Sequence, residues 1–577
     1  MLLDEGKKFS AEAALDALAK ARGCLTAEEV AVFKQRLPVL HNPFPSIPGS
    51  TVAMGRIKKA IERQERVVII GDYDVDGTIS TVLLFELLSR AGLKASCFIP
   101  DRIEDDYGVT VKAADKCMAE FNPHLVISVD CGSTSLAVIA DLKAKGVDFI
   151  VLDHHEPIKS DVGHPSLAHL NPKAHRGISP LIDEAATLCA GGLVFFFAEY
   201  LAEVLPAQGW SRDRSLILAG IATVADVMPL TRTNRALVRH SISLASTHAG
   251  KSLVPGLTLL LERAGAPEFT SKTYGWVIGP HLNAAGRVSH ARIAANLIAT
   301  RKPDVMAKGV EELIATNKDR KAVQDRVQEE SMRQAEEQMA LNPNRRFLIL
   351  FGDDWHPGVV GIVAGRVRER FRLPAIVCGL HPEEGYWKGS ARGVKGGNLG
   401  NIVHAAVTAG VLLGGGGHAM AAGLKVARGR EDEVRNWFET YTAGMVWDTE
   451  DSLEVLGPYG LLKTSDWTAL LEQAGPFGNE SPEPVMLLKQ AVLAGNIRVL
   501  KVGATQRPFG IAFDLAEDAG LGRKFNICWA GLATEDEFAA AEAVLRAKRP
   551  TDYAVRQVIK QRDGMAYVNL DLAGLAA

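Results

Sequence analysis

The sequence contains Val67-Val68-Ile69-Ile70-Gly71-Asp72-Tyr73-Asp74-Val75-Asp76-Gly77, where three aspartates directly follow a run of branched apolar residues. The arrangement recurs twice: Leu125-Val126-Ile127-Ser128-Val129 precedes Asp130-Cys131-Gly132, and Phe149-Ile150-Val151-Leu152 precedes Asp153-His154-His155. Each apolar run has the length of a strand, and amphipathic helical stretches separate the runs, which favours βαβ units in a parallel sheet. Functional groups in such sheets gather at the carboxyl ends of the strands, so we expect these polar side chains to converge on one crevice.

A cluster of five carboxylates and two imidazoles would form in that crevice. Like charges at close range repel and raise each other's pKa, so a divalent cation is the simplest way to stabilise the cluster. A carboxylate-rich set with one or two imidazoles suits Mn²⁺ or Mg²⁺, whereas zinc sites more often use thiolates or several histidines. Two such ions would clamp the attacking and leaving oxygens of a phosphoryl displacement.

Other interpretations of the acidic runs are weaker. Asp72, Asp74, Asp76 and Gly77 match the first half of a calcium-binding EF-hand loop, but Leu83 stands where that loop needs a bidentate glutamate. Taken alone, Asp130-Cys131-Gly132 would be an ordinary turn, and the two histidines would be surface residues. The three runs together, each after a strand, favour a dinuclear metal site.

The order Asp-x-Asp-x-Asp-Gly, Asp-x-Gly and Asp-His-His resembles the DHH phosphoesterase superfamily, and Ala225-Asp226-Val227 fits the downstream acid of that pattern. Further stretches resemble the RecJ family of 5′→3′ single-stranded-DNA exonucleases within it. They are Ile99-Pro100-Asp101-Arg102 with Tyr107-Gly108, Asn283-Ala284-Ala285-Gly286-Arg287, Trp355-His356-Pro357-Gly358-Val359-Val360-Gly361-Ile362, Lys388-Gly389-Ser390-Ala391-Arg392 and Gly416-Gly417-His418-Ala419-Met420-Ala421-Ala422-Gly423. The resemblance covers residues from about 40 to 577.

The resemblance implies two divalent cations, Mn²⁺ or Mg²⁺, with Asp130 as the bridging ligand. Asp74 and Asp130 would hold one ion with Asp72 beside it, while Asp76, Asp130, His154 and Asp226 would hold the other. His155 would contact the scissile phosphate, which makes Asp130, His154 and His155 the catalytic residues. Asp153 would orient the imidazoles.

Substrate-binding residues are expected in a second α/β region that faces the metals. Ser390 and Arg392 are two apart on a predicted strand and so share one face, where a hydroxyl and a guanidinium suit a terminal phosphate. Successive N–H groups of the glycine run, including Gly416 and Gly417, would cradle a phosphate oxygen beside His418, unless the run is a plain turn. By resemblance, Arg102 and Arg287 also grip the 5′ phosphate.

The predicted fold class is α/β: a parallel-sheet domain, a long helix, a second α/β domain and a C-terminal OB-like β-barrel. The expected boundaries are 1–48 for a helical lead, 49–302 for the DHH catalytic domain with its helical part, 303–342 for a connector helix, 343–445 for a DHHA1-like domain and 446–577 for the barrel. Short strands with turn signals suggest the barrel, and the resemblance supplies its OB-like character. Such barrels bind single strands.

Composition limits the class of protein. The longest apolar runs are shorter than a membrane span, and the amino terminus lacks a signal-peptide pattern. Seven scattered cysteines fit reduced thiols, so we expect a cytoplasmic protein. The net charge of −3 requires a nucleic-acid enzyme to concentrate its basic residues locally.

The expected function is metal-dependent 5′→3′ hydrolysis of single-stranded DNA to 5′-mononucleotides, in DNA repair and recombination. The resemblance adds a single-stranded-DNA-binding protein and a RecQ-type helicase as partners, and we expect a monomer that does not bind membranes. Two other classes stay open: a DHH phosphodiesterase for short oligonucleotides or cyclic dinucleotides, and a non-enzymatic DNA-binding scaffold. Departures from the family pattern at His281, Gly393 and Glu480-Ser481 lie outside the expected metal ligands, so they bear on substrate affinity and not on catalysis.

Overall fold

The structure is a computed structural model that describes residues 10–158, 163–448, 455–458, 464–493, 497–502, 507–517, 524–530, 535–546, 551–562 and 565–575. It divides into two compact units. One unit consists of Met1–Val39, Pro229–Arg239 and Asp451–Ala577, and the other consists of Leu40–Met228 and His240–Glu450. No helix among these described stretches is long and apolar enough to cross a bilayer.

The amino-terminal part of the chain alternates helices and strands. Its elements are α1 Ala11–Ala21, α2 Ala27–Lys34, α3 Ser50–Glu62, β1 Val67–Gly71, α4 Val75–Arg90, β2 Ala95–Phe98, α5 Val111–Phe121, β3 Leu125–Val129, α6 Leu136–Ala144, β4 Asp148–Leu152 and β5 Ala168–Leu170. The five strands form one sheet in the order β2-β1-β3-β4-β5, and every neighbouring pair is parallel. The predicted parallel sheet is therefore confirmed.

A helical part follows this sheet. Its elements are a 3₁₀ turn Pro172–His175, α7 Pro180–Ala185, α8 Ala190–Ala202, α9 Arg212–Ala225, α10 Arg232–Ala245, α11 His248–Leu253, α12 Pro255–Arg263, α13 Ser271–Thr273, a π-helical turn Tyr274–Ile278, α14 Gly279–Val288 and α15 Arg292–Ala299. Helix α8 is apolar almost all round and packs against α4 and α9. A helix without a polar face is buried on all sides, as α8 is.

The long helix predicted near residue 303 is α16, Pro303–Leu341, with 39 residues. Val310, Leu313 and Val327 are buried on one face of this helix. The first half of α16 packs on α14 and α15, and its second half packs on the domain that follows. The helix therefore has a packed face along much of its length.

A second sheet domain follows α16. Its elements are β6 Leu348–Gly352, α17 Val360–Phe371, β7 Ala375–Leu380, β8 Trp387–Arg392, α18 Leu399–Thr408, β9 Gly414–Gly417, β10 Ala421–Val426 and α19 Glu431–Thr442. The strand order is β6-β7-β8-β10-β9, with β6 and β7 parallel and the remaining pairs antiparallel. Below, the parallel-sheet domain with its helical part is called the metal lobe, and this domain is called the second lobe.

The carboxyl-terminal elements are β11 Val455–Pro458, α20 Thr464–Ala474, β12 Val485–Leu493, β13 Arg498–Val502, β14 Arg507–Glu517, β15 Lys524–Ala530, α21 Glu535–Arg546, β16 Thr551–Arg562 and β17 Met565–Leu575. They form a sheet in the order β11-β12-β16-β17-β15-β14-β13, and β12 also pairs with β14. Helix α1 shares this core, because Leu15 and Leu18 pack with Trp467, Phe513 and Tyr553. Met1–Val39 of the predicted helical lead thus belongs to the same compact unit as the carboxyl-terminal strands, whereas the rest of the predicted lead, from Leu40, belongs to the other unit.

Candidate active site

The acids lie where three parallel strands end. Asp72 follows β1, Asp130 follows β3 and Asp153 follows β4, while Asp226 caps the carboxyl end of α9. Asp130 adopts a left-handed φ of 62° and its N–H donates to the Leu152 carbonyl at 3.0 Å, so the chain turns sharply as it leaves the sheet. Parallel strands bring these ends to one edge, as the sequence predicted.

Three groups of side chains have ligand atoms within 4.8 Å of one another. One group is Asp72, Asp74 and Asp130, the second is Asp76, His154 and Asp226, and the third is Asp130, His154 and His155. The His154 Nε2 atom lies 3.1 Å from Asp130 Oδ1, 3.8 Å from Asp76 Oδ2 and 3.7 Å from Asp226 Oδ2. Both predicted ligand sets therefore assemble, with Asp130 beside each.

The cluster is electrostatically strained without a cation. Burial, followed by the charge of Asp74, raises the pKa of Asp72 to about 8 and that of Asp76 to about 6. Burial and then Asp76 raise the pKa values of Asp130 and Asp226 well above the ordinary range. Burial, helped by His155, lowers the pKa of His154 to about 3, which leaves a neutral imidazole able to bind a metal.

Unused polar atoms support a metal at this position. Within the described part of the chain, Asp72 Oδ1, Asp130 Oδ1 and His154 Nδ1 are buried and have no hydrogen-bond partner. A buried polar atom without a partner costs free energy, and such atoms call for an ion or water. Hard carboxylate oxygens with one or two imidazoles fit Mn²⁺ or Mg²⁺.

Backbone donors from α8 hold Asp76. Its Oδ2 accepts the Ala190 N–H and its Oδ1 accepts the Gly191 N–H, both at 2.7 Å. A Cβ on Gly191 would lie 2.7 Å from the Ala222 Cβ and 3.0 Å from Asp76 Oδ1. Glycine is thus needed where α8 approaches the acid, a role that the sequence analysis missed.

His155 is fixed from two sides. Its Nδ1 lies 2.7 Å from Asp153 Oδ1, and its Nε2 lies 2.9 Å from the Tyr107 hydroxyl. Burial alone would raise the pKa of Asp153, but the hydrogen bond and charge of His155 hold it well below its ordinary value. The same bond outweighs burial and raises the pKa of His155. Asp153 thus orients His155, whereas His154 reaches Asp153 only through its backbone N–H, at 2.7 Å.

The Asn283-Ala284-Ala285-Gly286-Arg287 stretch lies in the second half of α14 and braces the first acidic loop. Asn283 Oδ1 accepts the Val75 N–H at 3.2 Å, and a Cβ on Gly286 would lie 2.3 Å from the Tyr73 carbonyl oxygen. Arg287 donates to the Gly358 carbonyl at 3.0 Å, across to the second lobe. The stretch therefore holds the metal loop and connects it to the opposite side of the cleft.

Three arginines gather beside the acids. The Arg102 guanidinium lies 4.9 Å from the Tyr73 ring centroid. Burial, then the charge of Arg102, lowers the pKa of Arg287 to about 9, and the same two causes lower that of Arg392. Arg392 Nη1 donates to Ser390 Oγ at 2.9 Å. Arg102, Arg287 and Arg392 thus form one cationic group, called the arginine group below.

The start of α17 adjoins this cationic group. A Cβ on Gly361 would lie 2.9 Å from Ser390 Oγ and 3.0 Å from Arg392 Nη2. The first N–H groups of a helix attract anions, so α17 adds to the positive character of the pocket. The motif that contains Gly361 has no phosphate-binding pattern of its own, so its role here follows only from these contacts.

The glycine run differs from its prediction. Gly414–Gly417 is an edge strand paired with β10, so successive N–H groups point in opposite directions and do not form the predicted cradle. A Cβ on Gly417 would lie 2.3 Å from the Ala421 carbonyl oxygen, whereas a Cβ on Gly416 would have no atom within 4 Å other than those of its chain neighbours. His418 follows at the surface, where partial burial and then Arg392 lower its pKa.

Comparison with known proteins agrees with this arrangement. The models for the DHH family, N-terminal domain, and for the DHHA1 domain match residues 66–221 and 344–443. The single-stranded-DNA-specific exonuclease RecJ of Dickeya dadantii is 31% identical over 503 residues, which are 81% of this chain and 84% of the relative.

Two crystal structures of RecJ from Thermus thermophilus share the fold. The complex with Mn²⁺ has a TM-score of 0.78 at 24% identity, covering 100% of this chain and 78% of that one. The complex with Mg²⁺ has a TM-score of 0.73 at 23% identity, covering 100% and 77%. Since the identity to the Dickeya exonuclease extends along most of both chains, and the two family models fall on the two lobes of the cleft, this chain belongs to the RecJ family.

Proposed function

We propose that this chain is a metal-dependent exonuclease that degrades single-stranded DNA from its 5′ end and releases 5′-mononucleotides. The observation that carries the proposal is the adjacency of a negative and a positive group of side chains. Tyr73 lies in the chain between Asp72 and Asp74 of the acid cluster, and the Arg102 guanidinium, which acts on Arg287, lies 4.9 Å from the centroid of its ring. A chain end held by the arginines would place a neighbouring phosphodiester at the acids.

Two divalent cations, Mn²⁺ or Mg²⁺, would supply positive charge that activates water and offsets charge on the reacting phosphate. Asp72, Asp74 and Asp130 would hold one, and Asp76, Asp130, His154 and Asp226 would hold the other. Asp153 fixes His155 through Nδ1, which leaves Nε2, beside the Tyr107 hydroxyl, as the atom that meets a phosphate oxygen. RecJ of Thermus thermophilus crystallised with each of these ions.

Recognition of the 5′ end is assigned to the arginine group. Arg102, Arg287 and Arg392 carry the charge, Ser390 adds a hydroxyl, and the first N–H groups of α17 lie next to them. Guanidinium groups bind phosphate oxygens in a bidentate manner. His418 lies close enough to Arg392 for the arginine's charge to lower its pKa, and we assign Gly416, Gly417 and His418 to contact with the entering strand.

The carboxyl-terminal strands support an OB-like barrel. Ladders β12–β14, β14–β15, β15–β17, β17–β16 and β16–β12 close a ring of five strands, in which only β15 and β17 run parallel. Helix α21 lies in the connection between β15 and β16. Barrels of this kind bind single strands through basic grooves and stacked aromatic rings, so we assign the barrel to DNA binding.

A role in DNA repair and recombination, and partnership with a single-stranded-DNA-binding protein or a RecQ-type helicase, rest on the resemblance alone. They become useful hypotheses once the basic activity has been measured.

The proposal is tested with a long single strand that carries a label at its 5′ or its 3′ end. With Mn²⁺, the 5′ label should appear at once as mononucleotide, while the 3′ label stays in long products until late. A blunt duplex of the same sequence should be spared, and EDTA should stop all release. Early release of the 3′ label, or equal degradation of the duplex, would contradict the proposal, and preference for very short strands would favour an oligonucleotide phosphodiesterase.

A further inference from the structure

An acidic residue outside the metal cluster connects the two lobes. Asp106 Oδ1 lies 2.6 Å from Lys388 Nζ, and Asp106 Oδ2 lies 2.8 Å from Lys425 Nζ. Asp106 belongs to the metal lobe, in the loop between β2 and α5, whereas Lys388 and Lys425 lie on β8 and β10 of the second lobe. One carboxylate thus makes two ion pairs across the cleft.

The two lysines face each other within their own sheet. Lys425 is directly opposite Lys388 in the antiparallel β8–β10 ladder. Like charges in that position destabilise a sheet. Asp106 lies between the two ammonium groups and relieves this repulsion, so the second lobe on its own would be less stable there. Burial alone would raise the pKa of Asp106, but the two lysines hold it below its ordinary value.

The backbone conformation of Asp106 also indicates that these ion pairs are strong. Its φ is 65°, in the left-handed region that costs most side chains free energy. Aspartate tolerates this region better than most residues, and glycine would adopt it without cost. A charged residue at a position suited to glycine indicates that the two ion pairs outweigh the backbone cost.

The loop 102–106 is attached at both of its ends. Lys388 Nζ also donates to the Arg102 carbonyl at 3.1 Å, and the buried His381 has its Nε2 3.4 Å from the Ile103 carbonyl. Lys388, Ser390 and Arg392 share one face of β8 because they alternate along the strand. The same strand face therefore holds the loop that carries Arg102 and presents Ser390 and Arg392.

We propose that Asp106 is a positioning residue: its ion pairs with Lys388 and Lys425 hold the loop 102–106 on β8, and so place the Arg102 guanidinium beside Arg392 for recognition of a 5′ phosphate. This inference rests on the proposed function. Asp106 itself touches neither the metal cluster's ligand atoms nor the arginine group in the described contacts, so its effect is exerted through Arg102.

The test variant is Asp106→Asn, because asparagine keeps the size and tolerates a positive φ while it removes the charge. The matched control is Glu384→Gln, which breaks the Lys112–Glu384 pair at the same lobe boundary, where both side chains are well exposed. Lys425→Met provides a second way to remove one ion pair and relieves the lysine repulsion at the same time.

Two measurements distinguish this inference from the proposed function. Amide hydrogen exchange of residues 102–106, measured without DNA, should become faster in Asp106→Asn and stay unchanged in Glu384→Gln. The KM for a 5′-phosphorylated strand, relative to the same strand with a 5′-hydroxyl, should rise about tenfold in Asp106→Asn with kcat nearly unchanged. Adding Asp106→Asn to Lys425→Met should have a smaller effect than it has alone.

Each outcome tests either the attachment of the loop 102–106 by Asp106 or the role of that loop in recognising the 5′ phosphate. Unchanged exchange in Asp106→Asn overturns the attachment of the loop, and faster exchange with an unchanged KM ratio overturns its role in end recognition. An equal loss on both strands, accompanied by a lower melting temperature, would mean that Asp106 is merely structural. If the unmodified enzyme shows no preference for a 5′ phosphate, the 5′-end pocket of the proposed function fails, while the exchange result still decides whether Asp106 holds the loop.

Discussion

His154 Nε2 lies 3.1 Å from Asp130 Oδ1, although that oxygen has no hydrogen-bond partner among the described residues. The two side chains are buried and come from the ends of neighbouring strands β3 and β4. Asp130 belongs to two of the groups of possible ligands. One also contains Asp72 and Asp74, and the other also contains His154 and His155. The pair therefore marks the position where two cations would share a ligand.

Replacement of the shared carboxylate should abolish turnover without unfolding the protein. In Asp130→Ala we expect exonuclease activity to fall by more than about 10³-fold, because both cation sites lose a ligand and no other group replaces the activated water. The metal-free fold should be as stable or more stable, because one of several repelling charges is gone. Activity assays with Mn²⁺ and thermal melts in EDTA measure the two effects.

The matched control is Asp115→Ala, which removes an exposed carboxylate from α5 and should leave both quantities unchanged. Retention of a tenth of the unmodified activity in Asp130→Ala would reject the shared-ligand role.

Metal removal should make stability depend on pH in a particular direction. The native metal-free protein holds protons on Asp72 and Asp76 up to about pH 8 and about pH 6, respectively. The unfolded chain releases them near pH 4. The native state therefore binds more protons, and its free energy of unfolding should fall from about pH 4 to about pH 8, by about 1.4 kcal/mol per pH unit for each such proton.

Urea denaturation across this pH range checks the prediction. In EDTA the midpoint should decrease as the pH rises, and saturating Mn²⁺ should remove most of the decrease because cations replace the protons. A midpoint in EDTA that rises with pH would show that the acids are already ionised and stabilised in the metal-free protein.

The position of the acids could be predicted because it follows from local patterns. Branched apolar runs predict strands, helical stretches between them predict parallel pairing, and parallel pairing brings Asp72, Asp130 and Asp153 to one edge. Asp226, on a helix terminus, needed the family resemblance. The Ala190 and Gly191 N–H groups that hold Asp76 could not be predicted, because backbone donors have no sequence signature and lie more than a hundred residues away.

The glycine run shows how tertiary pairing overrides a local interpretation. Glycine is compatible with both a phosphate cradle and an extended strand, so Gly414–Gly417 carries no local preference. Antiparallel pairing with the neighbouring strand β10 stabilises the extended conformation of the run. The contacts of Tyr107 and Asp106 could not be predicted for a related reason: their partners lie far along the chain, and a lone tyrosine or aspartate in a loop has many possible roles.

Turnover should depend on the carboxylate of Asp153, because both of its oxygens accept hydrogen bonds that hold His155 and the neighbouring backbone. Asp153 Oδ1 accepts from His155 Nδ1 and from the His154 N–H, and Oδ2 accepts the Ser133 N–H at 2.9 Å. In Asp153→Asn an amide NH₂ replaces one acceptor and faces an N–H donor. We expect turnover to fall by about 10- to 100-fold, as for other residues that orient a metal-site side chain.

A double-mutant cycle with His155→Ala measures this coupling. If Asp153 acts through His155, the double variant should lose little more activity than His155→Ala alone. Fully additive losses would show that Asp153 acts through the metal ligands instead.

Recognition of the 5′ phosphate by the second lobe can be tested with Arg392→Ala. This change should weaken binding of a 5′-phosphorylated strand far more than that of a 5′-hydroxyl strand, since the guanidinium lies beside Ser390 and, with Arg102 and Arg287, forms the cationic group. A charge-assisted contact is worth about 1.5–3 kcal/mol, or roughly 10- to 100-fold in affinity. Hydrolysis of a minimal phosphodiester should change little, because Arg392 is not among the grouped metal-binding side chains.

Arg428→Ala is the matched control, since it removes an exposed arginine of the second lobe that pairs with Asp353 at 2.9 Å. Equilibrium binding of both strands, measured in EDTA to prevent cleavage, separates affinity from turnover. Equal weakening of both 5′ ends in Arg392→Ala would assign this arginine to the general DNA backbone. The end pocket would then have to depend on Arg102 and Arg287, whose guanidinium groups lie closer to the acidic loop because Arg102 stacks on Tyr73 and Arg287 belongs to the helix that braces it.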